Sequence, residues 1–292
     1  MGFQQKLKQI RLVKIRYVLL FTGLIAFGQE YKDVVYAEVV GRKLLVDVYL
    51  PQSNPNPYLV VWVHGGAWHS GSKENPPKGL LENGYAIASV DYRLSIEAAF
   101  PAMIHDIKAA IRYLQANAKQ YGYNADKIII AGSSAGGHLA ALIGTVNGNT
   151  ELEGTLGNHL NTSSDVQATV DLYGPTNFLT ILNQSTPHGI SVRAPALALL
   201  LGRPVDQVPE LAKLASPVYQ VDATDPPMFI AHGDQDNQVP INQAHELHAA
   251  LKKAGVTVHF EVIHGAGHGS PDYYQPEFTQ KIVAFLKQVL TN

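Results

Sequence analysis

The chain has 292 residues, 46% hydrophobic and 16% charged, with a formal net charge of −2. That balance excludes a disordered segment, a coiled coil and a basic nucleic-acid-binding surface, and the length suits one large α/β core. With no cysteine the chain holds no disulfide, no thiolate metal site and no cysteine nucleophile.

At the N-terminus Lys6, Lys8, Arg11, Lys14 and Arg16 precede an uncharged apolar run, residues 17–27, that ends among small residues at Ala26 and Gly28. This is the order of a secretory signal peptide, expected over residues 1–28. The run is about half the roughly 20 residues that a spanning helix needs, so cleavage is expected rather than stable membrane insertion. The alternative is a basic amphipathic extension on a cytoplasmic enzyme. Removal of residues 1–28 would take the formal charge from −2 to −7, and an acidic chain has no electrostatic reason to bind nucleic acid. The expected location is therefore secreted or periplasmic.

Residues 31–40 and 43–50 are β-rich and meet across Gly41 as an antiparallel hairpin. After a Pro-rich loop, 51–57, the unbroken apolar runs 58–63 and 85–90 predict strands buried on both faces. Over 101–120, Ile104, Ile107, Ile111 and Leu114 recur at three- and four-residue spacing and predict an amphipathic helix. There follow a strand at 127–131, a Gly/Ala-rich helix at 135–143 and strands at 166–172 and 228–232. A last strand, 256–263, lies between helices at 241–254 and 276–290. This alternation predicts a mainly parallel central sheet with helices on both faces. Residues 179–218 break it with scattered Pro and Gly and an apolar patch at 197–201, and are expected to form a small cap or lid inserted over the site.

Gly132-Ser133-Ser134-Ala135-Gly136 follows a strand and precedes a helix, the context of a nucleophile elbow that presents the Ser134 hydroxyl at a helix N-terminus. His64-Gly65-Gly66-Ala67-Trp68 closes the earlier buried strand, where such a fold builds its oxyanion loop. The backbone amides of Gly66, Ala67 and Ala135 are the expected donors, and His64 reads as structural. Two motifs in this order point to an α/β-hydrolase with a serine nucleophile.

A serine nucleophile needs a base, oriented by an acid, and in this fold the acid and then the base follow the nucleophile. His268, between glycines in the loop after the last strand, is preferred over His264 as the base. Spacing leaves Asp234 and Asp236 both open as the acid; Asp236 is preferred, and Asp234 reads as a turn residue. His245 and His248 lack the four-residue spacing of a zinc helix and are expected on a solvated helix face. Asp91-Tyr92-Arg93 reads as a structural loop with Arg93 paired to an acid.

These motifs together resemble the bacterial carboxylesterases related to bifunctional feruloyl and acetyl-xylan esterases (BD-FAE), neighbours of the hormone-sensitive-lipase-like group. The resemblance runs from about Asp33 to Leu290 and is carried by residues 61–68, 89–94, 132–138 and 265–269. That family keeps its acid in an Asp-x-x-Val-Pro loop, which only Asp236 satisfies, three residues before Val239-Pro240. The resemblance further implies a cofactor-free esterase for short or aromatic acyl esters, including acetyl and feruloyl groups on plant polysaccharide. The chain departs from it at Ala67, where many relatives carry a third glycine. A prolyl-oligopeptidase-like peptidase and a non-catalytic hydrolase-fold binding protein are the competing readings.

Overall fold

The computed structural model describes residues 28–291, so the expected signal segment, all but Gly28, lies outside the described residues. In chain order the elements are β1 (Glu30–Val39), β2 (Arg42–Tyr49), β3 (Tyr58–Val63), α1 (Gly79–Glu82), β4 (Ala86–Val90), α2 (Ala102–Ala116), α3 (Ala118–Tyr121), β5 (Asn124–Ser133), α4 (Ala135–Gly144), β6 (Ala168–Leu172), α5 (Ile181–Gln184), α6 (Pro187–Leu201), α7 (Pro209–Leu214), β7 (Met228–Gly233), α8 (Asn242–Ala254), β8 (Val258–Ile263) and α9 (Pro276–Leu290). The eight strands form one sheet in the order β1-β2-β4-β3-β5-β6-β7-β8. β1 and β2 form the expected hairpin, β2 runs antiparallel to β4, and every other pairing is parallel.

Alternate residues of each buried strand feed opposite layers. Leu59, Val61 and Val63 pack with α2 and α4, whereas Val60 and Trp62 pack with α1 and α9. Met228 and Ile230 of β7 meet α8. Sandwiched between helices, these strands bury both faces, which is why they read as continuous apolar runs. All six parallel strands, β3 to β8, end at the same edge, so the loops that follow them converge there.

Element boundaries differ from the sequence reading where backbone pairing overrides side-chain character. β5 runs over Asn124–Ser133 rather than 127–131, because β3 keeps pairing with it down to Asn124. The helix expected over 101–120 stops at Ala116. There Asn117 turns its side-chain amide back onto the Tyr113 carbonyl, 2.8 Å away, and α3 adds one further turn. Residues 179–218 are mostly helical. Thr186 caps α6 by accepting from the Gly189 amide, and Leu197, Leu200 and Leu201 sit in the main core. Gly189 and Pro195 inside α6 had hidden its period.

His245 is exposed and His248 half-buried, in keeping with the expected solvated helix face. Glu246 between them accepts from Asn177, Thr180 and Gln184, joining α8 to the insertion, and both histidine rings rest on Phe260. Arg93 pairs with Asp106 of α2 through Nε and Nη2.

Beneath α2, the fully buried Lys108 ammonium lies 3.0 Å from Glu153 and 3.1 Å from the Ser164 hydroxyl, and Arg112 engages the same Glu153. Removing the shared carboxylate would leave two buried cations uncompensated. Glu153→Ala is therefore expected to lower the unfolding free energy by about 3–5 kcal/mol in urea titrations.

Candidate active site

β5 ends at Ser133 and α4 begins at Ala135, so Ser134 alone makes the turn, with φ 54° and ψ −120°. This left-handed backbone is unfavourable for a residue with a Cβ and needs support from its surroundings. The Ser134 amide donates to the Leu172 carbonyl at 2.8 Å, which ties the turn to β6. On the opposite side the turn packs so closely on β3 that a Cβ at position 136 would lie 2.0 Å from the Val63 carbonyl oxygen; only glycine fits. The Ser134 hydroxyl is thereby held at the sheet edge, 2.8 Å from His268 Nε2.

His268 follows β8, and its Nδ1 lies 2.7 Å from Asp236 Oδ2, in the loop after β7. The second oxygen, Asp236 Oδ1, accepts the amides of Gln238 and Val239, both at 2.9 Å. Burial pushes the Asp236 carboxyl up, but hydrogen bonds from His232, His268 and the Val239 amide outweigh it and hold the group well below the usual carboxylate range. An ionised Asp236 fixes the hydrogen of His268 on Nδ1 and leaves Nε2 free to accept from Ser134. Asp234 is engaged elsewhere, with His264 Nδ1 at 2.8 Å and the Gly265 amide at 2.8 Å, so the two aspartates that spacing alone left open serve different partners.

The loop after β3 bends sharply, with positive φ at Gly66 (108°), Ala67 (50°) and Trp68 (63°). The Gly66 carbonyl accepts from the His69 and Ser70 amides, closing the turn. Among the described residues the Gly66 and Ala67 amides donate to no protein acceptor, and both residues line the cleft that holds Ser134. Ala135, the first residue of α4, adds an N–H that has no intrahelical acceptor. His64 is buried with its ring stacked on Tyr92, and its Nδ1 donates to the Gly65 carbonyl.

Three features escaped the sequence reading. Trp68, fully buried, donates from Nε1 to His138 Nδ1 at 3.0 Å, and His138 Nε2 donates to the Ala215 carbonyl at 2.7 Å. Burial pushes His138 down to about 4, so it stays neutral and pins the loop after β3 to α4 and the insertion. The available signal was its position one helical turn after Ser134. Tyr173 sets its ring edge against His268, with centroids 5.0 Å apart, and pairs its hydroxyl with that of Tyr274. Arg193 of α6 donates to the carbonyl and side-chain oxygens of Gln238 and walls the cleft.

The cleft encloses about 420 Å³ and has a polar wall that includes His69, Ser70, Arg193 and Gln238. A second chamber of about 450 Å³ meets it at Gly65 and Ser133. Trp62, Leu80, Ile87, Val170, Leu172 and Ile282 make that chamber apolar, with Glu74 and Lys78 at its rim. Among the described residues no group of three or more His, Asp or Glu side chains is arranged to hold a metal ion.

The sheet order and the Ser134–His268–Asp236 geometry define an α/β-hydrolase, the fold class expected from the sequence. The BD-FAE family model matches residues 46–251, and the chain belongs to that family. Esterase LipC of Mycobacterium tuberculosis is 32% identical over 74% of this chain, and esterase LipQ of the same organism is 32% identical over 83%. The chain spans 54% and 58% of the lengths of these relatives. Among solved structures, a truncated carbohydrate esterase from gut microbiota superposes with a TM-score of 0.83 at 33% identity, covering 91% of this chain and 98% of that one. The propionate-bound esterase 2 of Thermogutta terrifontis gives 0.71 at 26% identity, covering 90% and 95%.

Asp236→Asn would reverse the proton placement on His268, and kcat is expected to fall about 10³–10⁴-fold with KM little changed. Asp234→Asn should leave both nearly unaltered in the same steady-state assay.

Proposed function

We propose that this chain is a serine carboxylic-ester hydrolase that works through an acyl-Ser134 intermediate. The observation that carries the reading is the unbroken line from Ser134 Oγ through His268 to Asp236, at 2.8 and 2.7 Å, beside the free amides of Gly66 and Ala67. As Oγ attacks the ester carbonyl carbon, His268 Nε2 takes the hydroxyl proton. The Gly66, Ala67 and Ala135 amides receive the developing oxyanion, each such donor being worth about 2.7–4 kcal/mol in the transition state. His268 then returns the proton to the departing alcohol. Water, deprotonated by His268, attacks the acyl carbonyl and releases the acid and Ser134. Asp236 orients the imidazole and stabilises its charge throughout. No step calls for a cofactor.

The two-part cavity supports a substrate with unlike halves. A polar alcohol such as a carbohydrate hydroxyl matches the wall of His69, Ser70, Arg193 and Gln238, while the apolar chamber suits a short or aromatic acyl group. Acetyl and feruloyl esters of plant polysaccharide fit this division, and the similar gut-microbiota protein is a carbohydrate esterase.

p-Nitrophenyl esters from acetate to palmitate, methyl ferulate and acetylated xylan form the test panel. The wild type is expected to cleave the short esters and the Ser134→Ala variant none of them; equal ester turnover by both would overturn the assignment. Release of neither acetate from xylan nor ferulate from its methyl ester would remove the polysaccharide reading alone.

The basic-then-apolar order of residues 1–28 supports export to the periplasm or medium. Expressed in an exporting bacterial host, the protein is expected to have an intact mass that starts near residue 29. A recovered mass that includes Met1 would reject cleavage.

A further inference from the structure

The depth of the apolar chamber beside the cleft is set by the register of the central sheet. Its sheet-borne wall comes from alternate residues of β3, β4, β5 and β6, on the face covered by α1 and α9. Strand pairing stacks these residues in levels. Ser133 aligns with Leu172 at the top, Ala131 aligns with Trp62 and Val170 in the middle, and Ile87 closes the bottom, aligned through Val60 with Ile129. Ile129 stands four residues before Ser133 on β5, so at about 3.3 Å per residue the floor lies about 13 Å below the top level. Trp62 and Val170 are large, but Ala131 between them ends at its Cβ and leaves the gap through which the levels join.

At about 450 Å³ the chamber is far larger than an ordinary packing void, and its apolar lining offers water few partners. Its top level is also a wall of the catalytic cleft. Gly65 and Ser133 line both spaces, and a Cβ at position 65 would lie 3.4 Å from Ser134 Cβ, so the shared wall stands directly against the nucleophile. His268 lines the cleft and not the chamber. The alcohol oxygen must leave beside His268 Nε2, which returns its proton, so the alcohol half of an ester belongs in the cleft. The half that stays on Ser134 is the one left to enter the chamber.

We infer that Ala131 and Ile87 are the residues that set acyl-chain preference, and that the chamber admits straight chains up to about octanoyl. The inference rests on the acyl-Ser134 reading and goes beyond it by naming the residues that limit the acyl group. The small side chain of Ala131 lets a chain pass the middle level, and Ile87 stops it at the floor. An octanoyl chain fits within that depth, whereas a palmitoyl chain outruns it. Leu80 of α1 and Ile282 of α9 complete an apolar wall along the way, so each methylene that enters leaves water. Neither Ala131 nor Ile87 touches the Ser134–His268–Asp236 line, so chain preference and catalysis are separable.

The test measures kcat and KM for p-nitrophenyl acetate, butyrate, octanoate and palmitate, and for ethyl and octyl acetate. The wild type, Ala131→Leu and Ile87→Ala are compared, with folding checked by circular dichroism. For the wild type, kcat/KM is expected to rise from acetate to octanoate, by up to about fourfold for each methylene buried, and to fall at palmitate. Ala131→Leu fills the middle level and should lower kcat/KM for octanoate by about ten- to hundredfold, chiefly through KM. Acetate and octyl acetate, whose acyl group never reaches that level, should be little changed. Ile87→Ala deepens the chamber and should raise palmitate relative to octanoate.

Equal kcat/KM for acetate and octanoate in the wild type overturns the inference, as does an Ala131→Leu variant that loses both in the same proportion. An effect of Ala131→Leu on octyl acetate rather than octanoate also overturns it, by placing the alcohol in the chamber. If Ala131→Leu does not fold, Ile87→Ala decides, and a chain-length profile identical to the wild type is the overturning result. A wild type that cleaves no ester instead overturns the hydrolase reading.

Discussion

The left-handed backbone of Ser134 is the constraint around which the rest is arranged. Such a conformation costs on the order of 1–3 kcal/mol and survives only where neighbours leave no alternative. Here β6 holds the Ser134 amide, and β3 approaches so closely that position 136 tolerates no side chain. Strands β3, β6, β7 and β8 all run in the direction of β5, so the fold that exposes the hydroxyl also brings the loops of Gly66, Asp236 and His268 to the same edge. The strain is local, and a cooperative sheet supports it.

Around that edge the protein buries polar groups that an ordinary core would exclude. His138 bridges Trp68 and Ala215, His64 stacks on Tyr92, and Asp236 sits in the interior as an anion surrounded by donors. Each is satisfied, or nearly so, by a geometry that permits one arrangement. Satisfied networks of this kind rigidify their surroundings, which suits a site where a misplaced donor costs catalysis. The insertion takes part: α6 supplies Arg193 to the acid loop, and α5 and its preceding turn grip Glu246 of α8.

Much of this was legible in the sequence because the signals were local. Continuous apolar runs betrayed strands covered on both faces, and glycines beside Ser134 and after His64 marked turns that only small residues allow. The family match at residues 46–251 agrees with the resemblance carried by those motifs. What stayed hidden depends on distant partners. Spacing left Asp234 and Asp236 equivalent, since the difference is made by which histidine each meets some thirty residues later. His138 and Arg193 looked unremarkable because their partners, Trp68, Ala215 and Gln238, come from other elements. In α6, Gly189 and Pro195 masked a helix that tertiary packing restores.

The connectivity bears on how the protein comes into being. The contact between Ser134 Oγ and His268 joins residues 134 positions apart, and His268 is placed by β8, the strand at the far edge of the sheet. Such long-range closure is slow compared with the formation of neighbouring turns. A growing chain thus carries Ser134 long before it carries His268. On the proposed mechanism, the serine therefore gains its base only when the last strand of the sheet is in place.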